Sequence, residues 1–207
     1  PSEMTPNTSA LMAEMVRENF APEEVAIFEG DASVATALLD LPFDHIFFTG
    51  SPAVGRIVMA AAAKHLSSIT LELGGKSPVV VDESADLATA AKNIVWGKFT
   101  NNGQTCIAPD YVLVHNRVKE SFLVEVKKAI DHGFGDTVEK QENTPDYCRI
   151  VNDRHFERIN HLIDDAKAKG ATVIAGGTSR AADRFIAPTV LADVPADAAI
   201  MREEIFG

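Results

Sequence analysis

The 207-residue sequence holds only two cysteines, Cys106 and Cys148. Two are too few for a disulfide framework or a structural zinc site, and a reducing, cytoplasmic setting fits them best. Positive charge is also scarce. Lys and Arg number 19 against 30 Asp and Glu, a formal net charge of −11. No basic run is present, which argues against a nucleic-acid partner. Long apolar runs are missing too. One of the longer ones, VMAAAA at 58–63, lies between Arg56 and Lys64 and falls well short of the ~18 uncharged residues of a membrane helix. No signal peptide is visible. The chain opens at Pro1 without a methionine and closes on EEIFG (203–207) with no terminating helix or polar tail. Both ends read as cuts in a longer protein. What remains is an ordinary α/β composition, long enough for a real core.

Apolar periodicity predicts alternating helices and short strands. A helix opens at Thr5-Pro6, with Leu11, Met12, Met15, Val16 and Phe20 at helical spacing. Strands are expected at VAIF (25–28), HIFF (45–48), ITLEL (69–73), PVVV (78–81), 110–115, TVIAG (172–176) and FIAPTVL (185–191). Helices are expected over 32–41, 52–65, 85–98, 117–132 and 154–169, with 133–153 irregular. Strand, helix and strand in succession favour parallel pairing through right-handed crossovers. The paired glycines Gly74-Gly75 suggest a domain boundary.

Three stretches carry chemistry. In FFTGSPAVG (47–55) an apolar strand runs into Gly50-Ser51 and then a helix with Gly55 in its first turn. Such a turn presents free N–H groups and a positive helix end to an anion, with glycine allowing close approach. It is not a G-x-G-x-x-G fingerprint, and an ordinary strand-to-helix turn reads the same way. In TLELGGKSP (70–78), Glu72 stands between Leu71 and Leu73. It points to solvent, or it is a partly desolvated carboxylate with the raised pKa of a general base. Lys76 pairs with it or lies on the surface. In NNGQTCIAP (101–109), Cys106 is either a small buried residue at a strand entrance or a reachable nucleophile whose own N–H helps hold an oxyanion.

In order and at compatible spacing, these stretches resemble the NAD(P)-dependent aldehyde dehydrogenase superfamily over essentially the whole chain. Pro1-Ser2-Glu3 resembles the adenosine-ribose segment, FTGSPAVG the pyrophosphate turn and LELGGKSP the catalytic-glutamate strand. GQTCIA looks like the nucleophile loop and EEIFG like the nicotinamide-ribose segment. FFTGSPAVGRIVM, NNGQTCIAPDYVL and KHLSSITLELGGKSPV look most like the class 3 branch, of fatty, aromatic and coniferyl-type enzymes.

The resemblance implies an α/β fold: residues 1–74 as the second half of a Rossmann-like cofactor domain, and 75–207 as most of a catalytic domain, truncated at its C-terminal end. It implies Cys106 as nucleophile and Glu72 as general base in oxidation of a small-molecule aldehyde. It also implies cofactor contacts at Glu3, Gly50, Ser51, Gly55, Leu73, Gly74, Glu204 and Phe206, with Gly30 the loosest carry-over. Glu3 would bond the adenosine ribose and repel a 2′-phosphate, which favours NAD while leaving NADP open. A homodimer is implied for the full-length protein, and no metal. Cys148 matches no motif and reads as structural. The family's lysine before the adenosine segment, its upstream oxyanion asparagine and its bridging hairpin have no counterpart here, and Asn101 and Asn102 do not take the oxyanion role. The rival readings are a catalytically silent fragment and a cysteine amidohydrolase using Glu72, Lys76 and Cys106.

Overall fold

The computed structural model describes all 207 residues, Pro1–Gly207. The chain divides into two compact units, Pro1–Leu73 and Gly74–Gly207.

The first unit begins with helix α1 (Pro6–Asn19), whose Pro6 occupies a first-turn position where its missing N–H costs nothing. Helix α2 (Ala32–Leu39) is capped by Asp31, whose carboxylate accepts the Ser33 N–H at 2.8 Å. Strand β1 (His45–Gly50), helix α3 (Pro52–His65) and strand β2 (Ser68–Leu73) form a parallel crossover, with Ile46 opposite Ile69 and Thr49 opposite Glu72. Ser51 starts α3 by accepting the Val54 N–H at 3.3 Å, and Leu66 ends it in the left-handed conformation, φ 57°. One stripe of α3 is buried, through Gly55, Val58, Ala61 and Ala62. The small side chains on that stripe let helix and sheet approach closely. The expected strand at 25–28 does not form. The segment has no ladder partner, and Val25 and Phe28 stay exposed. An apolar run becomes a strand only where another strand satisfies its backbone.

The second unit repeats the crossover. Strand β3 (Pro78–Val81), helix α4 (Leu87–Phe99) and strand β4 (Tyr111–Val114) follow one another, with Val79 opposite Val112 and Val81 opposite Val114 in parallel. Asp86 caps α4 by accepting the Ala88 and Thr89 N–H groups, each at 3.2 Å. Helix α5 (Lys119–Phe134) buries Phe122, Val126 and Ile130, four residues apart, against Ala91, Val95 and Phe99 of α4. Tyr147 and Phe185 complete this core, with their rings 6.1 Å apart and edge-on. A short helix α6 (Val138–Asn143) stands inside the segment expected to be irregular; Thr137 caps it through the Lys140 N–H. Its six residues are too few to show a helical period. Helix α7 (Asp153–Ala168) buries Phe156, Ile159, Ile163 and Ala166 along one face. Four short strands follow: β5 (Thr172–Ala175), β6 (Ser179–Arg180), β7 (Phe185–Ile186) and β8 (Val190–Ala192). Here the pairing is antiparallel, β5 with β8 and β6 with β7. The single strand expected over 185–191 is therefore split. Pro188 falls between its halves, has no N–H for a ladder and lets each half join a different partner. No helix of the chain is long and apolar enough to cross a membrane.

Candidate active site

The loop after α4 is built from strained residues. Thr100 Oγ1 donates to the Trp96 carbonyl at 2.7 Å as the helix closes. Asn101, Asn102 and Gly103 then all take positive φ, at 52°, 51° and 71°. Asparagine tolerates this region better than most residues, yet each such non-glycine residue still costs about 1–3 kcal/mol. Side chains hold the loop there. Asn102, 2% exposed, donates from Nδ2 to the Cys148 carbonyl at 3.1 Å. Its Oδ1 lies 2.9 Å from the Tyr147 hydroxyl, which is equally close to the Ile186 carbonyl. Burial pushes the Tyr147 phenol far above its usual pKa, so it remains a neutral donor. Gln104 donates to the Asn101 and Arg149 carbonyls, both at 3.1 Å, and accepts the Val151 N–H at 2.9 Å. The loop is thus laced to a strap, 147–151, more than forty residues away in sequence.

Cys106 stands in a turn closed by the Ala108 N–H to the Thr105 carbonyl at 3.0 Å. Its thiol is free and exposed, and the turn's hydrogen bonds leave its backbone N–H unused. The reading of Cys106 as a small buried residue therefore fails; Ala108, at 8% exposure, is the buried residue there. Cys148 is exposed as well, and its carbonyl accepts the Asn102 hydrogen bond.

The end of the chain lies against this loop. A Cβ on Gly103 would sit 2.8 Å from the Gly207 carbonyl group and 3.1 Å from the Lys98 ammonium, so only glycine fits. Glu204 packs its carboxylate on Gly74, where a Cβ would come within 2.0 Å of Oε2. Phe206 is 37% exposed and has φ 47°. Arg158 of α7 donates to the Glu204 and Ile205 carbonyls at 3.1 and 2.5 Å. Asp110 accepts the Ile205 N–H at 2.9 Å through one oxygen and forms an ion pair with Lys76 through the other. Lys76 also donates to the Ile200 and Glu203 carbonyls, at 2.8 and 2.9 Å. It is neither a surface lysine nor free: all three ammonium donors are engaged. Burial lowers the pKa of nearby Lys98 to about 8, against the pull of Asp110 and Glu204.

The remaining expected residues lie in the first unit. Glu72 is on the exposed face of β2. The strand alternation turns this carboxylate to solvent. Gly50 and the exposed Ser51 form the turn into α3, whose first turn carries no acidic side chain. Gly55 has a packing role: a Cβ there would meet Leu73 Cδ2 at 3.1 Å, so it lets α3 sit close on β2. Glu3 is exposed near the start of the chain. Gly30, φ 147°, precedes the Asp31 cap and faces Val34.

The chain matches the aldehyde dehydrogenase family over residues 1–207. It belongs to that family. AldX of Bacillus subtilis (strain 168) is 53% identical over 208 residues, covering 99% of this chain and 46% of that protein. The dimeric NADP-preferring aldehyde dehydrogenase of Rattus norvegicus is 45% identical over 207 residues, 100% of this chain and 44% of that one. The relatives also include aldehyde dehydrogenase family 3 member A2 of Mus musculus, at 44% identity, which supports the class 3-like branch. Among solved structures, the substrate-bound state of Staphylococcus aureus AldH superposes with a TM-score of 0.91 at 43% identity, covering all of this chain and 44% of that one. The chain spans less than half the length of these relatives.

An aldehyde dehydrogenase-like α/β fold is thus established, while the strap at 147–151 and the pairing of Lys76 with Asp110 were not foreseen from the sequence. The one available signal for the loop was Asn-Asn-Gly, three residues that tolerate positive φ. A cavity of about 490 Å³ lies among Val95, Val112, Phe122, Leu162, Val190 and Gly207 and does not reach Cys106. Its walls are mostly apolar. No cluster of His, Cys, Asp and Glu is arranged to hold a metal ion.

Proposed function

We propose that the protein containing this chain oxidises an aldehyde to a carboxylic acid with NAD or NADP, using Cys106 as nucleophile. One observation carries the reading: the thiol is exposed at a turn, on a loop whose left-handed residues are held by Asn102 and Gln104. Strain kept in place by dedicated hydrogen bonds supports a functional role for the loop. The thiolate adds to the aldehyde carbon to give a thiohemiacetal, and the unused Cys106 N–H donates to the resulting oxyanion. Loss of hydride leaves a thioester on Sγ. Glu72 takes a proton from the water that hydrolyses it, releasing the acid and restoring the thiol. The exposure of Glu72 supports reach to water.

The residues fit a dinucleotide. The start of α3 is exposed, has a serine cap and bears no acid in its first turn, as an anion requires. Gly50, Ser51 and that helix start would take the pyrophosphate. Glu3 would take the adenosine ribose, and Glu204 and Phe206 the nicotinamide side, next to Gly74 and Leu73. When bound, the nicotinamide supplies the hydride acceptor. Glu3 favours NAD, although the rat relative is named NADP-preferring. Residues 1–74 as a cofactor-domain half, 75–207 as the catalytic domain, a coniferyl-type substrate, a cytoplasmic setting and a homodimer belong to the same proposal. The dimeric rat relative supports the last. The amidohydrolase reading loses its lysine, since the three donors of Lys76 are already taken.

The test is formation of reduced nicotinamide by the full-length protein over a panel of aliphatic and aromatic aldehydes. Cys106→Ala lowers turnover by at least about 10³-fold if the thiol is the nucleophile. Equal turnover by parent and variant would refute the assignment.

A further inference from the structure

We infer that Lys76, Asp110 and Arg158 form a positioning brace that fixes the Glu203–Ile205 backbone and thereby aims Glu204 and Phe206. The inference rests on the proposed role of Glu204 and Phe206 in holding the nicotinamide side of the cofactor. Three side chains from three places converge on three consecutive residues. Lys76, from the entrance to β3, takes the Glu203 carbonyl. Arg158, from α7, takes the Glu204 and Ile205 carbonyls. Asp110, from the entrance to β4, takes the Ile205 N–H while its other oxygen holds Lys76. The Asp110 side chain is 3% exposed and that of Lys76 20%.

This arrangement is poorly explained as stabilisation alone. Withdrawing an ion pair from water costs about as much as the pair returns, and apolar side chains would serve stability at least as well. What charge adds is directional hold on carbonyls and an N–H. The segment has no helix or strand to hold it, and only Glu204 and Ile205 are half-buried. Phe206 is partly exposed at positive φ, and the Glu204 carboxylate lies against Gly74, where a Cβ would displace it. The brace also reaches the nucleophile loop at two points. Asp110 lies four residues beyond Cys106, and Gly207 packs on Gly103. One ion pair therefore sets the spacing between the thiol's loop and the segment carrying Glu204. A misplacement of about 1 Å between reacting groups costs up to ~10²-fold in rate.

The experiment compares two reactions of the full-length protein. Aldehyde oxidation needs both Cys106 and the nicotinamide. Hydrolysis of p-nitrophenyl acetate needs the thiol alone. Asp110→Asn is expected to lower oxidation by about 10²-fold and raise the KM for NAD, while ester hydrolysis stays within about twofold. Lys76→Met should show the same split, and Lys76→Arg, which keeps the charge, should recover part of the loss. Arg158→Gln leaves the ion pair intact and guards against misfolding; it should show the split at about 10-fold. Parallel loss of both activities in every variant, or unchanged oxidation, would overturn the brace. If the parent shows Cys106-dependent oxidation and the variants match it, the brace alone fails. If the parent's activities do not depend on Cys106, the functional reading fails and the brace with it.

Discussion

The crossovers β1–α3–β2 and β3–α4–β4 obey one local rule and meet different surroundings. In Pro1–Leu73, α3 buries a single stripe of small residues, and large apolar side chains such as Leu11, Met15, Phe47 and Ile57 remain exposed. In Gly74–Gly207, α4 is packed against α5, and a continuous core runs from Val81 through Phe99 and Phe122 to Phe185. The chemistry differs accordingly. The first crossover offers what a helix start provides unaided: Ser51, Gly50 and unsatisfied N–H groups. The second carries Cys106 on a strained loop, which needs a rigid neighbour to hold it. Asn102 and Tyr147 connect that loop to the core itself. A strained loop therefore lies where packing can support it, and an open helix start where no such support is needed.

The sharpest way to break this contrast is Phe185→Ala. At 1% exposure and in contact with Tyr147 it should cost about 3–5 kcal/mol in denaturant unfolding. A loss under about 1 kcal/mol would mean that the second unit has no specific core. Asn102→Ala comes next. It leaves the Cys148 carbonyl without its donor and places alanine at positive φ, for a loss of about 2–3 kcal/mol. Alkylation of Cys106 by iodoacetamide should change in rate in the same variant, because the loop is no longer held. An unchanged rate would separate the thiol from its support.

A smaller effect is expected at Lys98, through pH. Its folded pKa of about 8 lies below the ordinary 10.5, so the unfolded chain binds more protons between those values. Stability should rise with pH from about 8 to 10.5, with the full cost of the buried charge present below 8. Lys98→Met should abolish that rise and stabilise the chain at neutral pH by on the order of 1 kcal/mol. An unfolding series across this range decides it: an unchanged slope in the variant would place the titration elsewhere. The smallest effect belongs to Phe47→Ala on β1. At 65% exposure it should stay within about 0.5 kcal/mol. A loss like that at Phe185 would show this face to be covered, and the contrast between the units would disappear.

Much of this was legible in the sequence because it depends on near neighbours. Ser51-Pro52 marks a helix start through side-chain acceptance and proline geometry. PVVV and residues 110–115 read as strands. The motif order around Gly50, Glu72, Cys106 and Glu204 pointed to the family. Errors came where the deciding partner is remote. VAIF has strand composition and no strand beside it. FIAPTVL reads as one strand, and Pro188 lets it serve two ladders.

The sequence by itself determined the helix caps, the βαβ succession and the residues from which a site could be made, since each follows from interactions within a few positions. Only the tertiary structure decided that Lys76 is held by Asp110, that Asn102 is tied to the 147–151 strap and that Cys106 stands exposed while Ala108 is buried. The reason is that desolvation and hydrogen-bond satisfaction depend on which distant groups arrive at one place, and spacing along a chain does not encode that directly.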